Sequence, residues 1–207
     1  MTDELETRAR AATQAGPPRP RPAAAADVSR LAQALAEAFY DDPVFGWLMP
    51  DEERRRERLR RFYFVELRHI GLGRGDAWTC DELAGAAISA PPGAWRVPLR
   101  TVLMQGSLFG AHAARAARLL GAVERRHLRE PHHYFAHIGV APAAQGRGLG
   151  SRLMRPTLDR CDRDGLPAYL EASSERSAAL YARLGFRLVR ELRVGASPPL
   201  RLMLRPP

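Results

Sequence analysis

Three glycines at alternate positions, Gly146, Gly148 and Gly150 in "QGRGLG", separate the apolar run "HYFAHIGVAP" from the amphipathic run "SRLMRPTLDRC". The pattern reads as a strand handed over to a helix through bare backbone, and a second strand, "PAYLEA", follows that helix. Strand, helix and strand in succession need a crossover connection, so at least two strands run parallel and the chain reads as mixed α/β.

The first backbone N–H groups of a helix lack intrahelical partners and carry the positive end of the helix dipole. Glycines at that point let a phosphate reach those donors. Two familiar phosphate loops do not fit. The dinucleotide fingerprint needs G-x-G-x-x-G, whereas these glycines run G-x-G-x-G, and the nucleotide loop needs Gly-Lys-Ser/Thr in a chain that contains no lysine. What remains is Q-x-x-G-x-G, carried by Gln145, Gly148 and Gly150. Taken alone, the hexapeptide is equally a turn that binds nothing.

The rest of the chain frames this unit. Residues 1–22 end in "GPPRPRP" and read as a mobile leader, leaving residues 23–207 as one domain. "DVSRLAQALAEAFY" places Val28, Leu31, Leu35, Ala38 and Phe39 on one helical stripe behind an Asp27 N-cap. "DDPVFGWLMP" reads as a turn with exposed aromatics, and "DEERRRERLRRFYFVELRHIG" as a second helix closed by Gly71. Strands are expected in "GDAWTC", "ELAGAAISAPPG", "HHYFAHIGV", "FRLVRELRV" and "PLRLMLR", and a capped helix in "SERSAALYARLG". Residues 94–129 read as an arginine-rich helical section with breaks at Gly106, Gly110 and Gly121.

The net charge of +9 raises the question of nucleic acid, but all 32 basic residues are arginine and asparagine is absent too, which points to a GC-rich coding sequence. No zinc finger, aromatic RNA-binding signature or basic tail accompanies the charge, so no nucleic-acid partner is expected. No apolar run reaches membrane-spanning length, and no membrane partner is expected. Cys80 and Cys161 stand in unrelated contexts, which argues against a disulfide framework or a metal site and for a reduced, cytoplasmic protein.

From roughly Ala24 to the C-terminus, and most sharply from Glu130 to Val189, the chain resembles the GCN5-related N-acetyltransferase family. The stretch "REPHHYFAHIGVAPAAQGRGLGSRLMRPTLDRCDRDGLPAYLEASSERSAALYARLGF" resembles its bacterial branch containing puromycin N-acetyltransferase. The shared features are the "EP" before the strand, Pro156 inside the loop helix, "GLPAYLE", and a tyrosine ahead of "LGF". The resemblance implies a central, mostly antiparallel twisted sheet with two splayed parallel strands, flanking helices, and residues 94–129 as a helical insertion. It implies acetyl-CoA as acyl donor, with the pyrophosphate on Gln145, Gly146, Arg147, Gly148, Leu149, Gly150 and Ser151. The donor's arm then lies along Ile138, Gly139 and Val140, beside Ser177, where many relatives have asparagine. An ordinary buried sheet would explain the same apolar side chains but leaves Gly139 without a purpose.

By the same resemblance Tyr181 stands beside the donor sulfur and protonates the departing thiolate, although apolar neighbours also fit a core aromatic. Glu171 is the first candidate base and His137 the second; alternation points His137 away from Ile138 and Val140 unless a bulge re-aims it. A water chain is the third. Phe39, Tyr40, Asp42, Phe45 and Trp47 are placed to line an acceptor pocket for a small primary amine. Acetylation of a protein or peptide, and a non-catalytic acetyl-CoA sensor, are the alternatives. The resemblance allows a homodimer.

Overall fold

A computed structural model describes residues 19–207 of the chain. Residues 1–18 of the expected leader lie outside the described residues, and Arg21–Pro22 already forms a short strand, β1. Part of the stretch assigned to the leader therefore belongs to the sheet, because Pro22 and Arg21 pair with Trp78 and Thr79.

Helix α1 (Val28–Ala38) follows, with Leu31 and Leu35 fully buried. Asp27 does not cap it. Its carboxylate accepts from the Ala24 N–H at 2.8 Å and from Arg21 at 2.7 Å, tying β1 to the turn before the helix. "DDPVFGWLMP" is not an open turn: Pro43–Leu48 is a helix, α2, capped by Asp42, and Phe45 is buried rather than exposed. Helix α3 (Glu52–Glu66) has the acidic first turn that suits its dipole. It does not stop cleanly at Gly71 but widens into a π turn over Leu67–Gly71, closed by Leu72 N–H to the Leu67 carbonyl at 2.8 Å.

Strands β2 (Asp76–Thr79) and β3 (Gly85–Ala90) come next, then the helical section: α4 (Leu99–Gly106), a 3-10 stretch and α5 (Ala113–Arg126). Gly106 ends α4 and Gly110 (φ 53°) breaks the helical path, but α5 runs straight through Gly121. Strand β4 (His133–Val140), helix α6 (Leu149–Asp164), strand β5 (Ala168–Ala172), helix α7 (Glu175–Arg183) and strands β6 (Arg187–Leu192) and β7 (Leu200–Arg205) complete the chain.

The seven strands form one sheet in the order β1-β2-β3-β4-β5-β7-β6. β4 and β5 run parallel, and every other neighbouring pair is antiparallel. The expected mixed sheet with a parallel crossover through α6 is present. Helices α1, α2, α3 and α5 cover one face with Tyr169 and Leu202, while α6 and α7 cover the other with Phe135, Leu170 and Met203. A buried hydroxyl pair, Ser89 and Thr157 at 3.1 Å, joins β3 to α6. Gly139 has a packing purpose: a Cβ there would sit 2.7 Å from Leu35 Cδ2 and Phe39 Cε2, so its absence lets α1 lie directly on β4.

Candidate active site

Strands β4 and β5 pair only at His133–Ala168, Tyr134–Tyr169 and Phe135–Leu170. Beyond that, β4 continues along β3 to Val140, and β5 continues along β7 to Ala172. The two parallel strands therefore splay, and residues 136–140 present an edge to the gap with no strand opposite. A bulge sharpens the divergence. Ser89 opposes Phe135 and Ile88 opposes His137, which leaves Ala136 as the extra residue. Tyr134 and His137 consequently share the α1/α3 face, and Phe135, Ile138 and Val140 the α6/α7 face.

At the α6 end of the gap, Gly146 (φ 78°) and Gly148 (φ 71°) are both left-handed, with open space where each side chain would be. That backbone is what requires glycine there. Gly150 is different: it lies against Leu180 and Val140 without unusual φ. Gln145 fixes the loop by donating to the Val140 carbonyl at 2.9 Å and accepting from Arg176 of α7 at 2.8 Å. The first intrahelical bond of α6 runs from Arg152 N–H to the Gly148 carbonyl. The amides of Leu149, Gly150 and Ser151 precede it and remain available as donors. Arg147 is engaged with Glu82 at 3.4 Å, and Arg152 has no acidic partner among the described residues. A loop of free amides ahead of a helix, next to an unpaired strand edge, fits a pyrophosphate and the amide-bearing arm attached to it.

Tyr181, on α7, is almost fully buried at the same gap. Burial foremost, and then the Asp42 carboxylate across the gap, push its phenol well above the usual tyrosine range, so it is held as a proton donor.

The opposite face holds carboxylates among aromatic rings. Phe39, Phe62 and Tyr63 pack edge-on around the His137 ring at centroid distances of 6.1, 5.7 and 5.2 Å. His137 Nε2 lies 3.3 Å from Glu66 Oε2, and Gln105 of α4 donates to Glu66 Oε1 at 2.6 Å. One Asp42 oxygen accepts from the Val44 and Phe45 amides at 2.9 and 3.0 Å, and the other accepts from the Ser173 hydroxyl. Burial raises the Asp42 carboxyl above its ordinary range, against the opposing pull of Ser173, the two amides and His137. Glu171 is the residue of β5 just past the last one paired with β4, and its Oε2 accepts from Tyr134 at 2.8 Å. Burial, then the Glu171 charge, pushes the Tyr134 phenol far up.

The structure thus brings Phe39, Asp42, His137, Glu171 and Tyr181 to one gap. Tyr40 turns away: its hydroxyl donates to the Glu52 carbonyl at 3.2 Å, and its ring lies under Arg55 and Arg56. Trp47 stacks beneath Arg115 of α5. Ser177 is turned back onto its own helix: its hydroxyl donates to the Ser174 carbonyl at 2.9 Å and accepts from the Ser174 amide, completing the capping box. Sequence reasoning missed Glu66 and Gln105. A signal for Glu66 existed, because Arg55, Leu59, Phe62, Tyr63 and Glu66 form one buried helical stripe that ends in a carboxylate. Cys80 and Cys161 are free and buried. Among the described residues no helix is long and apolar enough to cross a membrane, and no group of three or more His, Cys, Asp or Glu is placed to hold a metal ion.

Residues 32–186 match the family described as Acetyltransferase (GNAT) family. An uncharacterized N-acetyltransferase of Schizosaccharomyces pombe is 28% identical over 200 residues, covering 88% of this chain and 81% of the relative. The N-alpha-acetyltransferase RimI of Mycobacterium tuberculosis is 35% identical over 125 residues, 57% of this chain and 77% of that protein. Among solved structures, the one described as histone acetyltransferase HPA2 and related acetyltransferase, from Corynebacterium glutamicum, superposes with a TM-score of 0.72 at 28% identity, covering 93% of this chain and 97% of the other. A Drosophila melanogaster polyamine N-acetyltransferase shares the fold at a TM-score of 0.58 and 17% identity, covering 91% and 99%.

Proposed function

The chain belongs to the acetyltransferase (GNAT) family, and from that premise we propose that it moves an acetyl group from acetyl-CoA to a primary amine of a small molecule, with Tyr181 as general acid. The observation that carries the reading is the gap between β4 and β5, with the buried Tyr181 phenol on one side and Glu66, Asp42 and Glu171 among aromatic rings on the other.

Acetyl-CoA supplies the acetyl group as a thioester. The amides of Leu149, Gly150 and Ser151 would hold its pyrophosphate, and the free edge at residues 136–140 would take the amides of its arm. A backbone N–H near Ile138 or Val140 would face the thioester oxygen, where negative charge develops on attack. The acceptor amine would enter from the α1/α3 face, its positive charge drawn by the carboxylates and by the faces of Phe39 and Tyr63. Tyr181 would then donate its proton to the departing sulfur.

The alternative acceptor is a protein or peptide amine, a lysine or an N-terminus, and the name N-alpha-acetyltransferase of the RimI relative points to an α-amine. The small-molecule reading is favoured because the α4/α5 section closes the acceptor side: Gln105 reaches Glu66, and Phe109 packs on Phe62 at a centroid distance of 6.2 Å. An extended peptide needs an open groove there. The branch containing puromycin N-acetyltransferase and a cytoplasmic setting belong to the same proposal, and a sensor without turnover is its negative outcome.

The test is thiol release from acetyl-CoA across a panel of small amines, aminonucleosides and peptides, with wild type and Tyr181→Phe. Turnover of a small amine that drops about 10²–10⁴-fold in the variant supports the acceptor class and the acid role. Turnover confined to peptides overturns the acceptor class, and an unimpaired variant overturns the acid.

A further inference from the structure

Two buried histidines outside the donor and acceptor contacts, His127 and His132, continue the site away from the gap. His127 follows the last residue of α5, so the helical section delivers it to the sheet. Its ring is stacked on Trp95 at 3.8 Å and 20°. Its Nδ1 lies 3.5 Å from Glu171 Oε1, a buried carboxylate oxygen with no hydrogen bond among the described residues. The Tyr169 hydroxyl is likewise unpaired and lies near Glu171, and burial and then the carboxylate charge push its phenol up.

The hydrogen bonds fix where the protons sit. His132 Nδ1 is 2.7 Å from the Glu130 carbonyl, which can only accept, so Nδ1 carries the hydrogen. Burial lowers the basicity of His132, which keeps its ring neutral and its Nε2 a bare acceptor. His127 Nε2, 3.0 Å away, must therefore donate to it. A neutral His127 then has its lone pair on Nδ1, facing the lone pairs of Glu171 Oε1. Two acceptors confront each other across a space that one proton would complete. The groups facing this pair are Tyr134 from β4, Tyr169 from β5, His132 from the loop before β4, and Trp95 with Arg96 over its ring. None of them places a cation against it.

We propose that Glu171, His127 and His132 form the proton-accepting relay of the reaction, with Glu171 as the group that meets the acceptor amine and the two histidines as positioning residues behind it. The proposal rests on the acetyltransferase reading above. An acceptor arriving as an ammonium gives one proton to the Glu171 carboxylate, which hands it on to His127 Nδ1; His127 then carries the positive charge, its Nε2–H held by the bare Nε2 of His132. The neutral nitrogen then forms its C–N bond while the C–S bond breaks. Tyr181 protonates the sulfur and recovers a proton from the nitrogen, so one proton per turnover is left on the relay and lost to solvent.

The test compares wild type, Glu171→Gln and His127→Gln. Glutamine at 127 can still donate to His132 but cannot carry an extra proton, which separates the hydrogen bond from proton transfer. In pH profiles of kcat/KM on whichever acceptor wild type prefers, both variants should lose about 10²-fold or more near pH 7. Their rates should recover towards wild type as pH approaches the amine's own range of about 10. Acetyl-CoA affinity by calorimetry should not change. A loss equal at all pH values, or no loss, overturns the relay. A wild type active only on peptides would sink the small-amine reading while leaving this comparison intact. Imidazole nitrogen NMR of the free protein supplies a readout independent of turnover: His132 should be the Nδ1–H tautomer and His127 the Nε2–H tautomer, and any other assignment overturns the relay.

Discussion

Replacing Gly139 by alanine tests whether the close seat of α1 on β4 holds the acceptor side of the site. The added Cβ would meet Leu35 Cδ2 and Phe39 Cε2 at 2.7 Å and Ala38 Cβ at 3.1 Å. Contacts under 3.0 Å cannot stand, and Leu35 is fully buried, so α1 must shift by a few tenths of an ångström or the side chains must leave their rotamers. Overpacking of this kind costs about 1–3 kcal/mol. At about 2–4 °C per kcal/mol for a domain of this size, Tm should fall by roughly 2–12 °C. The functional effect should be lopsided. Phe39 touches His137 on the acceptor face, while the glycine loop lies on the other side of the sheet. KM for the amine should rise several-fold and by more than acetyl-CoA affinity falls, measured by thiol release and calorimetry on the same preparation. The added Cβ points to the α1 side, while the edge that would hold the donor's arm is backbone. A variant as stable as wild type, or one that loses acetyl-CoA affinity instead, would refute the reasoning.

Gly148→Ala puts a side chain into a left-handed position with open space around it, so only backbone strain of about 1–2 kcal/mol opposes it; acetyl-CoA affinity should fall roughly tenfold by calorimetry, with amine KM unaffected. Glu66→Gln removes a buried charge facing His137, and a cationic acceptor should lose about 10–100-fold in kcat/KM while an uncharged aromatic amine loses little. Asp42 has a raised carboxyl, so the folded chain holds that proton more tightly than the unfolded chain. Its contribution favours the fold at low pH and is lost as pH rises above the ordinary carboxylate value of about 3.9. Denaturant melts at pH 4 and 6 should therefore show Asp42→Asn gaining stability relative to wild type at the higher pH.

The donor half of the site was legible because it is local. Gln145, Gly146 and Gly148 shape one loop, the first through its side-chain amide and the glycines through their backbone, and alternation over residues 133–140 announced the strand beside it. The Ser174 cap follows from the pattern of one helix, whereas Tyr181 is marked out only by the resemblance to the family, its helical setting fitting a core aromatic as well. The acceptor half depends on contacts distant in sequence. Gln105 meets Glu66 across 39 positions, and Ser173 meets Asp42 across 131, and no spacing rule reports such pairs. Ser177 and Tyr40 misled for a related reason. A short polar side chain finds its nearest backbone partner first, as Ser177 does in the capping box, and a tyrosine beside an arginine-rich helix is drawn under the guanidinium groups. Alternation placed His137 opposite Ile138 and Val140, as the structure has it, but the bulge at Ala136 that brings His137 onto the same face as Tyr134 cannot be read from alternation.

The sheet divides the labour between its faces, and the division explains where a change of acceptor would have to occur. On the α6/α7 face the features that would meet the donor, apart from the Tyr181 side chain, are backbone or a side chain tied to backbone, as Gln145 is to Val140, so sequence can vary in the loop only within the limits of its conformation. On the α1/α3 face the polar groups come from separate elements: Asp42 from the start of α2, Glu66 from the end of α3, Gln105 from α4, His127 from the end of α5 and Glu171 from β5. The helical section contributes two of these: Gln105, which is hydrogen-bonded to Glu66, and His127, whose Nδ1 faces Glu171. Remodelling that section would alter both the wall of the acceptor pocket and the partners of its two carboxylates without touching an atom of the donor loop. On the proposed reading, acceptor choice and proton removal are thus coupled through one segment, whereas donor binding is independent of it.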